Sequence, residues 1–289
     1  MSILAAVVLG LVQGLCEFLP VSSSGHLLLL QDAFGLTEGA LGQSAMAFDI
    51  MLHLGSLLAV FLLFRKDVAE LIRHPLGKKM RYLIVATLPI VIVVILLGDR
   101  IDELFQGKYL GLSFLLTAVL LSLSELGSKR RTKEKKNIGL PQVLGMGLMQ
   151  AVGVLPGVSR SGATISGGLM TGLSRSRAAK FSFLMSIPAI LGSAVMAGKD
   201  IVQDGLGEVS WGIMLIAMAT AFVSGFFAIR FMLKLLKKYR LYGFALYVLL
   251  LGIATLIGQG WLEATVMICG FLVLVSMAIV EFINKRVVD

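Results

Sequence analysis

QGLCEFLPVSSSGH, residues Gln13 to His26, breaks an apolar run that opens at Ile3, and LPGVSRSGAT, Leu155 to Thr164, breaks a second that opens at Ile138. Each break carries a proline that stops the preceding helix, Pro20 or Pro156, and then a Ser-x-Ser-Gly step into another apolar segment. Around them the 289-residue chain is 57% hydrophobic and 15% charged, whereas a soluble domain is about 25% charged. Its solvent is therefore lipid. Non-helical backbone at membrane depth is tolerated only where protein buries it or a wet cavity receives it. The two breaks thus mark a site inside an all-α, polytopic membrane protein.

Outward from the breaks, seven runs approach the roughly 20 apolar residues a spanning helix needs. They are Ser44 to Phe64, Tyr82 to Gly98, Tyr109 to Gly127, Phe181 to Gly198, Trp211 to Ile229, Leu241 to Ile257 and Leu262 to Ile283, with Asp49, Glu125 and Glu281 near their ends. About six to seven spans are expected. Ile3 to Cys16 is too short to cross alone, and with no basic residue before it, it does not read as a cleavable signal peptide. Cys16 and Cys269 both lie in apolar runs, which suggests neither a disulfide framework nor a zinc site.

The net charge of +9 is an orientation signal. Arg65 to Arg81, Lys129 to Lys136, Arg175 to Lys180, Arg230 to Arg240 and the tail beyond Asn284 hold 22 of the 26 basic residues. The alternate loops, Asp99 to Lys108 and Lys199 to Glu208, hold three, and Gln31 to Gln43 holds none. By the positive-inside rule the basic set is cytoplasmic. A basic patch along one membrane face also excludes nucleic acid as a partner. Arg160 is the one basic residue that belongs to no loop.

Sliding the chain on itself gives an offset of 137 residues. Gly10, Leu11 and Gln13 meet Gly147, Leu148 and Gln150; Ser22, Ser24 and Gly25 meet Ser159, Ser161 and Gly162; Leu54, Gly55 and Ser56 meet Leu191, Gly192 and Ser193. The single membrane domain, 1–289, then divides into a repeat of about 1–127, a second of about 138–257 and an extra helix of about 262–283. Ser44 to Phe64 ends at a basic loop while its counterpart begins at one, so the repeats are inverted. The breaks become two re-entrant hairpins that meet near the midplane, an arrangement that builds substrate sites.

The residue types say what such a site holds. A Ser-capped helix start offers unpaired N–H groups, hydroxyls and the positive end of a dipole, which suits phosphate. Ser22, Ser24, Gly25, Ser159, Ser161, Gly162 and Thr164 are the candidate phosphate contacts. Arg160 adds a permanent charge with a planar fork. Its alternative is a pairing with Glu17. Glu17 in an apolar setting suits a base or a cation ligand, with Gln13 one turn before it on the same face. His26 opens the following helix as a proton carrier. At the 137 offset Glu17, Ser23 and His26 meet Val154, Arg160 and Ala163, so one copy supplies the base and the other the clamp. His53 shows no polar cluster near it in sequence and is expected to be structural; His74 lies in a loop.

Both motifs closely resemble the two signatures of the undecaprenyl-diphosphate phosphatases, also known as bacitracin-resistance proteins, and the resemblance extends over the span pattern of the whole chain. It implies hydrolysis of undecaprenyl diphosphate to the monophosphate and phosphate, with a divalent cation such as Mg²⁺ or Ca²⁺. The expected setting is the bacterial cytoplasmic membrane, with the site toward the outer face. The resemblance implies catalytic roles for Glu17, Ser23, His26 and Arg160 and cation binding by Glu17 and Gln13; many relatives have Glu where this chain has Gln13. The attacking group is Ser23, His26 or a water activated by Glu17. The partners are a polyprenyl diphosphate and the bilayer, with a homo-oligomer left open. A lipid-carrier or anion transporter built on the same repeat is the alternative.

Overall fold

The computed structural model describes residues 1–36, 44–104, 109–129, 137–204, 209–258, 260 and 262–273, and they form an all-α protein. Around the first break lie α1 (Ile3–Phe18) and α2 (Ser23–Ala33), followed by α3 (Ser44–Leu63), the short α4 (Arg65–Arg73), α5 (Lys78–Leu104) and α6 (Leu110–Lys129). Around the second lie α7 (Leu140–Val152) and α8 (Arg160–Met170), followed by α9 (Arg175–Asp204), α10 (Trp211–Lys238) and α11 (Tyr242–Ile257). A last helix, α12, covers Leu262–Val273.

Five of these are long and apolar enough to cross a bilayer: Ala45–Leu63, Lys78–Gly98, Leu110–Ser128, Arg175–Met196 and Trp211–Lys238. They coincide with five of the seven expected spans. The run expected from Leu241 forms a helix of 16 residues, short of the roughly 20 that a straight crossing needs. The run expected to Ile283 is described only to Val273. The loop segments 37–43, 105–108, 130–136 and 205–208, and the tail with Glu281, lie outside the described residues.

Local chemistry places the helix ends. Ser2 caps α1 by accepting from the Ala5 N–H at 3.1 Å, and Leu19 then Pro20 close it. Pro141 sits in the first turn of α7, where its missing N–H costs nothing. Pro89 and Pro188 lie inside α5 and α9, as neighbouring helices allow in a membrane protein.

Small residues bring the short helices onto long ones. α1 packs along α10, and a Cβ added to Gly14 would fall 2.0 Å from Ser224 Oγ and 2.3 Å from the Ala221 carbonyl oxygen. α7 packs along α5, where Gly147 lies so close that a Cβ would be 2.7 Å from the Ala86 carbonyl oxygen. Such contact between backbones is how helices associate where lipid supplies no hydrophobic drive. Phe18 meets Phe183 edge-on at 5.3 Å, joining α1 to α9.

Two carboxylates tie helix ends together. Glu125, buried near the end of α6, accepts from Arg175 Nε at 2.6 Å and Nη2 at 2.5 Å, and from the Leu241 N–H at 3.0 Å. Asp67 on α4 pairs with Lys79 at 2.5 Å and Lys180 at 3.0 Å. Partial burial pushes the Asp67 carboxyl up, but hydrogen bonds and charge from the two lysines outweigh it and hold it below its ordinary value.

Candidate active site

Four helices gather five side chains, four of them around the carboxylate of the first. Glu17, in the last turn of α1, has a side chain only 4% exposed. Ser23, the first residue of α2, donates its hydroxyl to Glu17 Oε2 at 2.7 Å, and Gln13 Nε2 donates to the same oxygen at 3.2 Å. Arg160, the first residue of α8, donates through Nη2 to the other oxygen, Oε1. The fifth side chain corrects an expectation: His53 on α3 has Nε2 3.8 Å from Glu17 Oε2 and faces the cluster. The sequence did carry a signal for it, since Asp49 and His53 are two ionisable residues one turn apart in an apolar span.

The serines at the breaks build matching helix starts. Ser22 Oγ accepts from the Gly25 N–H at 3.3 Å, and Ser159 Oγ accepts from the Gly162 N–H at 3.0 Å. The earlier N–H groups, of Ser23 and Ser24 and of Arg160 and Ser161, have no acceptor within their helices. Ser24 and Ser161 stitch one break to the other: Ser24 Oγ accepts from the Gly157 N–H at 3.4 Å, and Ser161 Oγ donates to the Leu19 carbonyl at 2.9 Å. Gly25 and Gly162 serve the same contact, since a Cβ on either would press on Phe114 and Gly157 or on Ser159 and Pro20. Thr164 Oγ1 is buried and bonded to Ser182 Oγ at 2.6 Å.

His26 lies apart from the Glu17 cluster. Its Nδ1 meets the Ser22 carbonyl oxygen at 2.7 Å and its Nε2 the Tyr247 hydroxyl at 2.6 Å. A carbonyl only accepts, so Nδ1 carries the hydrogen and the tyrosine donates to Nε2. Both nitrogens of this fully buried ring are thus engaged. The Ser22 carbonyl it holds belongs to a residue at φ +74°, the only described non-glycine residue with positive φ. Strain of this kind persists where surroundings over-determine it. Beside the ring is an apolar cavity of about 140 Å³, lined in part by Cys16, Val21, Phe231, Tyr247 and Phe271. Tyr247 and Ser182 had no signal in the sequence, since each is one of several polar residues in its helix and nothing local marks it out.

Among the described residues no three His, Cys, Asp or Glu side chains gather into a metal cage. Glu17 and Gln13 nevertheless suit a shared cation. Gln13 Oε1, the other end of the amide that donates to Glu17, is buried with no hydrogen-bond partner, and Mg²⁺ is commonly held by one or two carboxylates with substrate phosphates and water completing its shell.

Fold and site together define a multi-pass membrane protein that holds a serine hydroxyl, a carboxylate and an arginine between two helix N-termini. The sequence profile described as Bacitracin resistance protein BacA matches residues 6–254, and the chain belongs to that family. It is 42% identical over 257 residues to the undecaprenyl-diphosphatase of Carboxydothermus hydrogenoformans, covering 88% of this chain and 96% of that protein. It is 39% identical over 281 residues to the undecaprenyl-diphosphatase of Methanobrevibacter smithii, covering 90% and 98%. With undecaprenyl-diphosphatase 3 of Bacillus cereus it shares 38% identity over 260 residues, covering 90% and 98%. The relatives include archaeal as well as bacterial proteins, so membership points to a multi-pass membrane protein without specifying a bacterial membrane.

Proposed function

We propose that this chain hydrolyses undecaprenyl diphosphate to undecaprenyl phosphate and inorganic phosphate, recycling a lipid carrier of wall synthesis and conferring bacitracin resistance. The observation that carries the reading is the 2.7 Å contact between Ser23 Oγ and a Glu17 oxygen whose partner oxygen is held by Arg160. A nucleophile within hydrogen-bond reach of a base, with a cation beside it, is the arrangement phosphoryl transfer needs. The names of the relatives supply the substrate.

In this mechanism Arg160 turns its fork from Glu17 to the oxygens of the diphosphate, and the open N–H groups at the starts of α2 and α8 add hydrogen bonds. Glu17, released from the arginine, takes the Ser23 proton. The Ser23 oxygen bonds to the terminal phosphorus as the anhydride bond breaks, and undecaprenyl phosphate departs with the bonding pair. Water then attacks the phosphoserine, phosphate leaves, and Glu17 returns the proton to Ser23. A bound divalent cation such as Mg²⁺ or Ca²⁺, held by Glu17 and Gln13, would neutralise charge on the phosphate oxygens. His26 holds the strained Ser22 carbonyl and so keeps Ser23 aimed. The apolar cavity beside His26 suits the first prenyl units of the tail.

The membrane frame of this reading is an inverted repeat with two re-entrant hairpins and its site toward the outer face. Its support is the correspondence at the 137 offset. α2 and α8 are both 11 residues, each opened by a serine cap. α1 grips α10 as α7 grips α5.

The test uses protein purified in detergent, where there are no two compartments to move a lipid between. Phosphate release from undecaprenyl diphosphate is expected, together with a phosphoserine trapped at Ser23 by rapid acid quench. Ser23→Ala is expected to lose roughly 10²-fold or more in rate. No phosphate release by the wild type would leave the transporter alternative standing, and full activity in Ser23→Ala would exclude serine attack.

A further inference from the structure

We propose that His53 is a third protein ligand of the cation at Glu17 and Gln13, giving the site a nitrogen donor and a preference for Mn²⁺ or Co²⁺ over Mg²⁺ and Ca²⁺. The inference rests on the cation-binding part of the reading above.

The tautomer of His53 carries the argument. Its Nδ1 is 2.8 Å from the backbone carbonyl oxygen of Asp49, one turn earlier on α3. Because a carbonyl can only accept, Nδ1 bears the hydrogen, and in the neutral ring Nε2 presents a lone pair. That lone pair lies 3.8 Å from Glu17 Oε2, beyond hydrogen-bond range. In the neutral ring, then, a carboxylate oxygen and an imidazole nitrogen oppose each other with no hydrogen between them.

A metal ion fits that gap. With metal–nitrogen and metal–oxygen bonds of about 2.0–2.2 Å, two ligands of one ion sit roughly 3–4 Å apart. A ring N–H held by a backbone carbonyl while the other nitrogen stays open is the usual setting of a metal-bound histidine, because the hydrogen bond fixes the tautomer and raises the basicity of the ligand. The buried, unpartnered Gln13 Oε1 is a further donor on the face of α1 that carries Glu17. The His53 side chain is 33% exposed. Imidazole moves the donor set away from the all-oxygen shells that Mg²⁺ and Ca²⁺ prefer. Arg160 on the other Glu17 oxygen opposes a second positive charge, so the ion binds better once a diphosphate has drawn the arginine away.

The experiment is pulsed EPR on the full-length protein in detergent, loaded with Mn²⁺ alone and with Mn²⁺ plus inorganic diphosphate. Expected is ¹⁴N modulation from a coordinated imidazole in the wild type, strongest with diphosphate, and its loss in His53→Gln and His53→Ala variants whose thermal midpoints show them folded. Competition is expected to give a preference for Mn²⁺ over Ca²⁺ of about 10-fold or more in the wild type and a much smaller one in His53→Gln. Bound Mn²⁺ without ¹⁴N modulation in either wild-type sample, or modulation that survives both substitutions, would overturn the proposal, as would failure of Mn²⁺ to bind in both. The first two results leave phosphate release, measured on the same preparation, free to succeed. Loss of phosphate release with ¹⁴N modulation intact would instead strike the phosphatase reading and spare the ligand.

Discussion

Two buried carboxylates in this protein each receive an arginine, and the pairs differ in what else they hold. Arg160 and Arg175 have nearly the same side-chain exposure, 20% and 22%, and their partners Glu17 and Glu125 are 4% and 0% exposed. Burial does not separate the pairs. Geometry does. Arg175 grips Glu125 through two nitrogens, and a backbone N–H from the start of α11 fills the same carboxylate. Glu125 is thus a closed knot between three helix ends. Arg160 reaches Glu17 through one nitrogen, while the other oxygen is shared with a serine hydroxyl and an amide and faced by an imidazole. A buried ion pair is weak evidence of stabilisation, since desolvation offsets attraction unless every donor and acceptor is satisfied. The closed pair meets that condition; the open pair keeps groups in reserve for a ligand.

The largest expected effect follows from the open pair. Arg160→Ala should lower kcat/KM for undecaprenyl diphosphate by roughly 10³–10⁵-fold, the range for arginines that stabilise a transferring phosphoryl group, and shift the thermal midpoint far less than Glu125→Ala does. A large midpoint shift with retained activity would erase the contrast. The closed pair predicts the converse. Glu125→Ala should cost roughly 3–5 kcal/mol of stability, as for other broken buried pairs, read as a fall in thermal midpoint, while activity per folded molecule stays near wild type.

A smaller effect tests how α1, which carries Glu17, is seated on α10. Gly14→Ala places a methyl against Ser224 and the Ala221 carbonyl, and overpacking of this kind costs about 1–3 kcal/mol. Activity should fall along with stability, because Gln13 and Glu17 ride on the same helix. The smallest effect belongs to a third carboxylate, Asp67, in the charged α4. Its folded pKa lies below the unfolded one, so its stabilisation is present above the unfolded pKa and lost as pH falls through the folded pKa. In acid unfolding, Asp67→Asn should flatten that limb and cost less than about 1 kcal/mol near neutral pH, because its partners Lys79 and Lys180 are 27% and 50% exposed and water screens the pairs.

Much of the site could be read from one dimension. The proline and serine spacing placed the ends of α1 and α7 and the starts of α2 and α8, because helix termination and capping are contacts within a few residues. Arg160 stood out because no loop explained it, and Glu17 was already its alternative partner. His53 was misjudged for a physical reason: the side of α3 that faces α1 depends on how two helices are rotated against each other. His26 was recognised but not its engagement, since Tyr247 lies 221 residues away on α11.

By itself the sequence determined the solvent, the places of five spans, the two breaks and the residue types gathered there, since hydrophobic runs, capping and backbone stops act over a turn or two of chain. Only the tertiary structure decided which groups meet. That Glu17 faces Ser23, Arg160 and His53 while Glu125 is sealed by Arg175 depends on the rotation and depth at which close-packed helices settle, and those are set by contacts between residues far apart in the chain.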